Sequence, residues 1–381
     1  MLKKCCIKVL KIVFKKLPVK KNKIILSNFF AQGYGDNPKY ITEELLRRNK
    51  NIKIIWLLNN TDVELDNRIE KVKYPSVRAI YEYSTSKIIV QNIRNFHLNK
   101  KRKNQIYIQT WHGGGAFKFV EGDAYNKLSS DYVKEAQYDG LITDAIIAES
   151  QYATKMFKRA FWLNKKTEIL EYGSPNYDVL IENKNNEKKI KELKEKYNYI
   201  NDYTVLYAPT FRDNNSTEGY LTKFDNIIKS FQKITNKNVK IIVRFHPNVN
   251  DKDININYNN QIIKSSVQDD VKDLALICDS IISDYSSVMY DFLLLDKPVF
   301  RYVYDLEKYK KMRGLPDEIN DYPFITANNL DMLCDLVSKF NMDNYIVELK
   351  KYKLENENFN KGDASYKTVD WILSKMNNKK I

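Results

Sequence analysis

The sequence predicts an α/β protein of two Rossmann-like domains facing each other across a cleft, preceded by a basic amphipathic helix. Three observations carry this. Short runs that are apolar throughout alternate with helical patterns, as expected of parallel strands covered on both faces. The alternation pauses at a strongly charged stretch, residues 183–196, and then restarts, so that 381 residues divide into two blocks, each long enough to bury a core. The formal charge of +15 is unevenly spread: residues 1–23 hold nine lysines and no acid, and the first acidic residue is Asp36.

In chain order, residues 1–22 form the leader. At helical period Leu2, Cys5, Cys6, Val9, Leu10, Val13 and Leu17 share one face, with Lys4, Lys8, Lys11 and Lys15 opposite, until Pro18 ends the pattern. That describes a helix lying in an anionic membrane interface; the alternative is a helix docked on the body with a solvated lysine face. Residues 23–182 are expected to form the first domain, with strands at 23–28, 53–58, 87–91, 106–110, 145–149 and 169–172 and helices such as 40–48 and 77–83. Residues 183–202 read as a charged helix or linker. Residues 203–345 form the second domain, with strands at 204–208, 240–245, 262–264, 280–283 and 298–303. Residues 346–381 supply C-terminal helices, of which 365–376 can cross back to the first domain.

Composition excludes several classes. With 43% hydrophobic and 13% aromatic residues the chain is neither disordered nor collagen-like. Once the leader's +9 is set aside, residues 24–381 carry only +6, too little to point to a nucleic-acid partner. The four cysteines, Cys5, Cys6, Cys278 and Cys334, show no disulfide or zinc spacing, which suits a reducing cytosol, and neither a structural metal nor a cofactor is expected. No run reaches the roughly 18 apolar residues of a membrane span, and Lys8 and Lys11 interrupt any signal-peptide core.

Ligands of parallel α/β sheets bind at the carboxyl ends of strands, and four such places carry unusual chemistry. The first is residues 109–115 (QTWHGGG) with Lys118 behind: His112 is a candidate general base beside glycines whose backbone can approach an anion, or else a core histidine in a tight turn. The second is residues 244–247 (RFHP), where Arg244 and His246 alternate on one side and suit phosphate oxygens. The third is residues 283–291 (SDYSSVMYD), where Ser286 and Ser287 open a helix and suit a phosphate, although Asp284 or Ser286 could simply cap it. The fourth is residues 208–212 (APTFR), whose Arg212 either holds a phosphate or braces the interdomain cleft. His97 reads as structural, and residues 100–103 (KKRK) as a solvated loop. No Walker, GxGxxG, HExxH or GxSxG motif occurs.

Taken in order, these motifs, together with residues 27–40 (SNFFAQGYGDNPKY), the stretch 149–180 ending EYGSPNYDVL, and residues 283–309, resemble the CDP-glycerol glycerophosphotransferase family of teichoic acid and capsule synthesis. The resemblance implies a GT-B-like fold. It also implies transfer of glycerol phosphate or ribitol phosphate from a CDP-polyol to a hydroxyl of an undecaprenyl-linked saccharide or polyol-phosphate acceptor, with release of CMP. By matching motif, His112 is the implied base and His246, Ser286 and Ser287 the implied donor pyrophosphate ligands, assisted by Arg212, Arg244 and Asp284. Trp111, Gly113, Gly114, Lys118, Asn176 and Asp178 are assigned to the acceptor side of the cleft. The implied place of work is the cytoplasmic face of the cell membrane, held peripherally by residues 1–22. Residues 173–178 (GSPNYD) and 312–316 (MRGLP) depart from the family pattern, which bears on the donor polyol and the acceptor; the motifs do not choose between glycerol and ribitol or between one addition and polymerisation, nor do they give an oligomeric state. The competing readings are a GT-B glycosyltransferase using a CMP-sugar, and a basic scaffold without enzymatic activity.

Overall fold

The computed structural model describes residues 2–48, 51–113, 115, 117–197, 199, 201–212, 216–246, 249, 254–265 and 269–377. The chain divides into two compact units: Met1–Gly114, Val120–Asp178 and Asn358–Ile381 form the first, and Gly115–Phe119 with Val179–Glu357 the second.

The first unit is built on seven parallel strands: β1 (Lys20–Ser27), β2 (Lys53–Leu58), β3 (Ile69–Lys73), β4 (Ser86–Gln91), β5 (Ile106–Gln109), β6 (Ala145–Ile147) and β7 (Glu168–Leu170). Their order is β3-β2-β1-β4-β5-β6-β7, a doubly wound arrangement that reverses direction between β1 and β4. Alternate side chains fill two cores. Ile24, Leu26, Trp56, Ile88 and Val90 pack with Val369, Trp371 and Ile372 on one face, and Ile25, Leu57, Ile89 and Tyr107 pack with Ala79 and Tyr83 on the other. Each such side chain contributes about 1.5–3 kcal/mol on burial. A one-residue slip would exchange the two sets, so the register, for example Ile25 beside both Ile55 and Ile89, is firmly specified.

The leader is a helix, Leu2–Lys16, packed on the helix Val77–Thr85. Phe14 meets the Tyr81 ring edge-on at 5.6 Å, Asn99 Nδ2 donates to Lys11 O at 2.9 Å, and Arg102 Nη1 donates to Leu17 O at 2.6 Å. This corrects two expectations. The docked face carries Leu10, Phe14 and Leu17, whereas Val9, Ile12 and Val13 are exposed (55%, 60% and 47%). Arg102, from the loop expected to be solvated, is one of the groups that hold the helix down. Lys23, the last of the nine lysines, is fully buried against Glu82 at 2.7 Å and against Thr85.

The second unit holds six parallel strands: β8 (Tyr203–Tyr207), β9 (Val239–Val243), β10 (Ile262–Lys264), β11 (Ser280–Ser283), β12 (Val299–Tyr302) and β13 (Ile325–Ala327). Their order, β10-β9-β8-β11-β12-β13, puts the switch point between β8 and β11. The stretch expected as a charged helix or linker contains the helix Glu187–Lys196, which lies against Val271–Ile277 within this unit because Leu193 is buried there while most of its charged residues face out. Of the C-terminal helices, Met342–Glu355 stays in the second unit, while Ala364–Met376 belongs to the first. The two strands missing from the sequence reading, β3 and β13, are both at sheet edges, where a half-buried pattern replaces the continuous apolar run.

Candidate active site

In the first unit the chain leaves β5 through a sharp turn. Trp111 sits at φ 54°, held by its N–H on Gln109 Oε1 (2.9 Å) and by Asn37 Nδ2 on its carbonyl (3.1 Å). The turn presents His112, half-buried, with its ring beside Phe29 (5.1 Å) and Trp111 (4.2 Å). His112 Nδ1 lies 2.6 Å from the carbonyl oxygen of Asn92. A carbonyl only accepts, so Nδ1 carries the hydrogen and the neutral ring keeps its lone pair on Nε2, the state a general base requires.

Behind His112 lies a polar network. Asn92 Nδ2 donates to Asn28 Oδ1 (2.8 Å) and Asp36 Oδ2 (2.6 Å), Asn92 Oδ1 accepts from Phe29 N–H (3.0 Å), and Asn176 Nδ2 donates to Asp36 Oδ1 (2.5 Å). Asn37 Oδ1 accepts from Ser174 Oγ and the Asn176 N–H, both at 2.9 Å. Sequence reasoning picked only Asn176 from this group. Asn28 and Asn92 each directly follow an apolar strand, the same signal that drew attention to His112.

Two acceptor-side assignments are corrected by burial. Trp111 is 8% exposed and packs with Phe157 and Phe161 as core. Asp178 is buried and accepts the Ala364 and Ser365 N–H groups (3.1 and 2.7 Å), so it caps the last helix; burial raises its pKa and these hydrogen bonds oppose the shift. Gly113 is half-buried beside His112, and Gly114 lies outside the described residues. His97 is structural as expected, with Nε2 2.9 Å from the buried Asp139 carboxylate.

Lys118 was expected on the acceptor side but belongs to the second unit with the segment Gly115–Phe119, where Phe117 stacks on Tyr322 at 5.3 Å. Its charge acts on His246. The His246 pKa is lowered from 6.5, first by partial desolvation and then by Lys118, so the ring is mostly neutral at pH 7. His246 is exposed at the end of β9, where it stacks on Phe211 at 5.6 Å. Arg244 is half-buried and donates to Ser265 Oγ (3.2 Å); burial lowers its pKa, opposed by Asp269 and Asp270. Pro247 lies outside the described residues. Ser286 is half-buried and Ser287 exposed, just ahead of the helix Val288–Leu294.

Arg212 and Asp284 differ most from expectation. Arg212 is 3% exposed and Asp284 2%. Arg212 Nη2 donates to Asp284 Oδ2 (2.8 Å) and Asp305 Oδ1 (3.1 Å), Nε to Asp305 Oδ2 (2.8 Å) and Nη1 to Thr210 O (2.5 Å). Burial alone would lower the guanidinium pKa, but the Asp284 charge and the Asp305 hydrogen bonds raise it. Asp284 Oδ1 in turn accepts the Thr210 and Tyr285 N–H groups (2.8 and 2.7 Å), which ties the strand end after β8 to the loop after β11. With four of its five N–H donors committed in this way, the arginine is a brace rather than an open phosphate ligand. Sequence reasoning missed Asp305 and also Arg301, a buried guanidinium whose Nε donates to Asp284 O at 3.1 Å. A cavity of about 660 Å³ beside the brace is lined by Arg212, Ser216, Glu218, Tyr304, Asp305 and Asn328.

The family model described as CDP-Glycerol:Poly(glycerophosphate) glycerophosphotransferase matches residues 9–374. The teichoic acid poly(glycerol phosphate) polymerase of Staphylococcus epidermidis is 33% identical over 337 residues, covering 83% of this chain and 46% of its own length. The chain thus spans about half of that relative. The teichoic acid glycerol-phosphate transferase of Staphylococcus aureus is 28% identical over 342 residues, with 85% of each covered. The solved structure of the wall teichoic acid polymerase TagF aligns with a TM-score of 0.83 at 28% identity, over 98% of this chain and 93% of that one. With this match along nearly its whole length, the chain belongs to the CDP-glycerol:poly(glycerophosphate) glycerophosphotransferase family.

Proposed function

We propose that the protein transfers glycerol phosphate or ribitol phosphate from a CDP-polyol to a hydroxyl of a lipid-linked teichoic acid or capsule precursor, releasing CMP. The observation that carries this reading is the His112 tautomer set by Asn92, in a chain that matches the family over residues 9–374. His112 Nε2 takes the proton of the acceptor hydroxyl, and the resulting oxygen nucleophile attacks the phosphorus that bears the polyol. The bond from that phosphorus to the bridging oxygen breaks, and CMP leaves with the electron pair. A loose phosphoryl-type transition state needs positioning and charge stabilisation more than covalent help. Neutral His246 donates one ring N–H to the donor phosphates, Ser286 and Ser287 donate hydroxyls, and Arg244 and Lys118 supply positive charge. Arg212 contributes by holding the Asp284–Ser287 loop in place.

The acceptor is lipid-linked, and the leader fits peripheral attachment at the cytoplasmic membrane face. Its helix exposes Ile7, Val9, Ile12 and Val13 next to exposed Lys8 and Lys16, an apolar and basic surface suited to anionic headgroups. Co-sedimentation with phosphatidylglycerol vesicles should fall when Val9, Ile12 and Val13 are replaced by serine; unchanged binding refutes this attachment.

The reaction is tested by incubation with labelled CDP-glycerol or CDP-ribitol and an undecaprenyl-linked acceptor. CMP release is expected from at least one pairing, and none from any pairing overturns the reading. Family membership favours a CDP-polyol over the CMP-sugar alternative, which would gain only from tight CMP-sugar binding with no binding of either CDP-polyol.

A further inference from the structure

The polar cluster around Asp36 has no part in the reaction as derived above, yet it occupies the place where a doubly wound sheet binds ligands. β1 and β4 run side by side at the switch point, with Ser27 beside Gln91. Asn28 and Asn92, the residues that follow, therefore meet just outside the strand ends and bond to each other. Asn92 then joins two functional groups: its backbone carbonyl accepts from His112 Nδ1, and its side-chain amide donates to Asp36 Oδ2. The Asp36 carboxylate thus lies one residue away from the imidazole.

Three features of this cluster point to a ligand. Asp36 is held at φ 54°, a conformation uncommon for a residue with a side chain and one that clusters at functional sites. Its half-buried carboxylate forms no ion pair among the described residues; each oxygen takes one amide hydrogen and keeps a second lone pair. Asn176, which donates to Asp36, has its own Oδ1 buried without a hydrogen-bond partner among the described residues. A carboxylate beside unused acceptor capacity attracts hydroxyl donors and repels phosphate.

We infer that Asp36 and Asn176, held by Asn28 and Asn92, bind the neutral, hydroxyl-bearing end of the acceptor. Asp36 accepts a hydrogen bond from a hydroxyl neighbouring the one that His112 deprotonates. This rests on the proposed transfer reaction and names the part of the acceptor recognised: a vicinal diol, such as a terminal glycerol unit carries once its third oxygen bears phosphate. The acceptor's phosphates point away from this carboxylate.

The test compares Asp36→Asn with the wild-type enzyme, using CDP-glycerol and two lipid-linked acceptors, one ending in glycerol phosphate and one whose terminal unit lacks the secondary hydroxyl. Asparagine tolerates positive φ, so the turn is retained; Asp36→Gly, which removes the strain altogether, is the second variant. Both should raise the acceptor KM about 10- to 100-fold, the loss of one charge-assisted hydrogen bond, with the KM for CDP-glycerol unchanged. The wild-type enzyme should discriminate against the deoxy acceptor and the variants should not. Unchanged acceptor KM in both variants, or equal discrimination by variant and wild type, overturns the diol assignment alone. Absence of CMP release by the wild-type enzyme overturns the transfer reading, and the diol assignment with it.

Discussion

Arg212 separates a brace from a ligand, and the structure sets the size of the effect. In Arg212→Met the buried carboxylate of Asp284 and the part-buried carboxylate of Asp305 lose the cation that each meets at 2.8 Å, and Thr210 O loses a donor. Removing one partner of a buried ion pair costs about 3–5 kcal/mol, and with two carboxylates stranded the upper half of that range is expected. At about 2–4 °C per kcal/mol for a domain of this size, the melting transition should fall by about 8–20 °C. The deficit should also depend on pH. A buried carboxylate without its cation has a raised pKa, so the folded variant binds more protons than the unfolded chain. Stability relative to wild type is then lost as pH rises through the carboxylate range, and the deficit is larger at pH 8 than at pH 5. Calorimetric melts at the two pH values measure both quantities. Asp305→Asn completes the test through CDP-glycerol affinity by titration calorimetry. If Arg212 is a brace, loosening it disorders the Asp284–Ser287 loop and affinity falls. If it is a phosphate ligand restrained by Asp305, the freed guanidinium raises affinity. A melting point within about 2 °C of wild type for Arg212→Met, or tighter donor binding by Asp305→Asn, refutes the brace.

Two further outcomes follow from the first unit. His112→Ala should lower kcat by about 10²–10⁴-fold, the usual contribution of a general base, while CDP-glycerol still binds; retained turnover removes His112 from the mechanism. Glu82→Gln strands the buried Lys23 ammonium, whose pKa is already lowered by desolvation and supported by Glu82. A lysine with a depressed folded pKa destabilises fully below that pKa and is relieved as pH rises toward its unfolded value. The variant should therefore lose about 3–5 kcal/mol at pH 7 and less at pH 9.5, measured by urea midpoints, and a pH-independent loss would count against an unpaired ammonium.

Much of the fold was legible in the sequence for a physical reason: central parallel strands are covered on both faces, so Lys53–Leu58 and Ser280–Ser283 read as continuous apolar runs with sharp ends. Those ends also marked His112, His246 and Ser286, because chemistry in such sheets collects where strands stop. Edge strands escaped the same rule. The Ile69–Lys73 segment, IEKVK, buries only Ile69 and Val72 and resembles an exposed charged stretch until its neighbour is known.

Burial was the quantity that local pattern could not supply. Trp111, Asp178 and Arg212 each stand beside a functional motif, and each turns inward, to a core, a helix cap and an ion-pair brace. Pairing across long separations was equally hidden. Asn28 and Asn92 are 64 residues apart and Asp36 and Asn176 are 140 apart, so no window of sequence contains the network behind His112. The sequence by itself determined the α/β class, the two blocks and the strand ends that carry the histidines, because hydrophobic period and turn chemistry are local. Only the tertiary structure decided which polar residues face a ligand and which are consumed in holding the fold, because that depends on which strand ends the sheet order brings together.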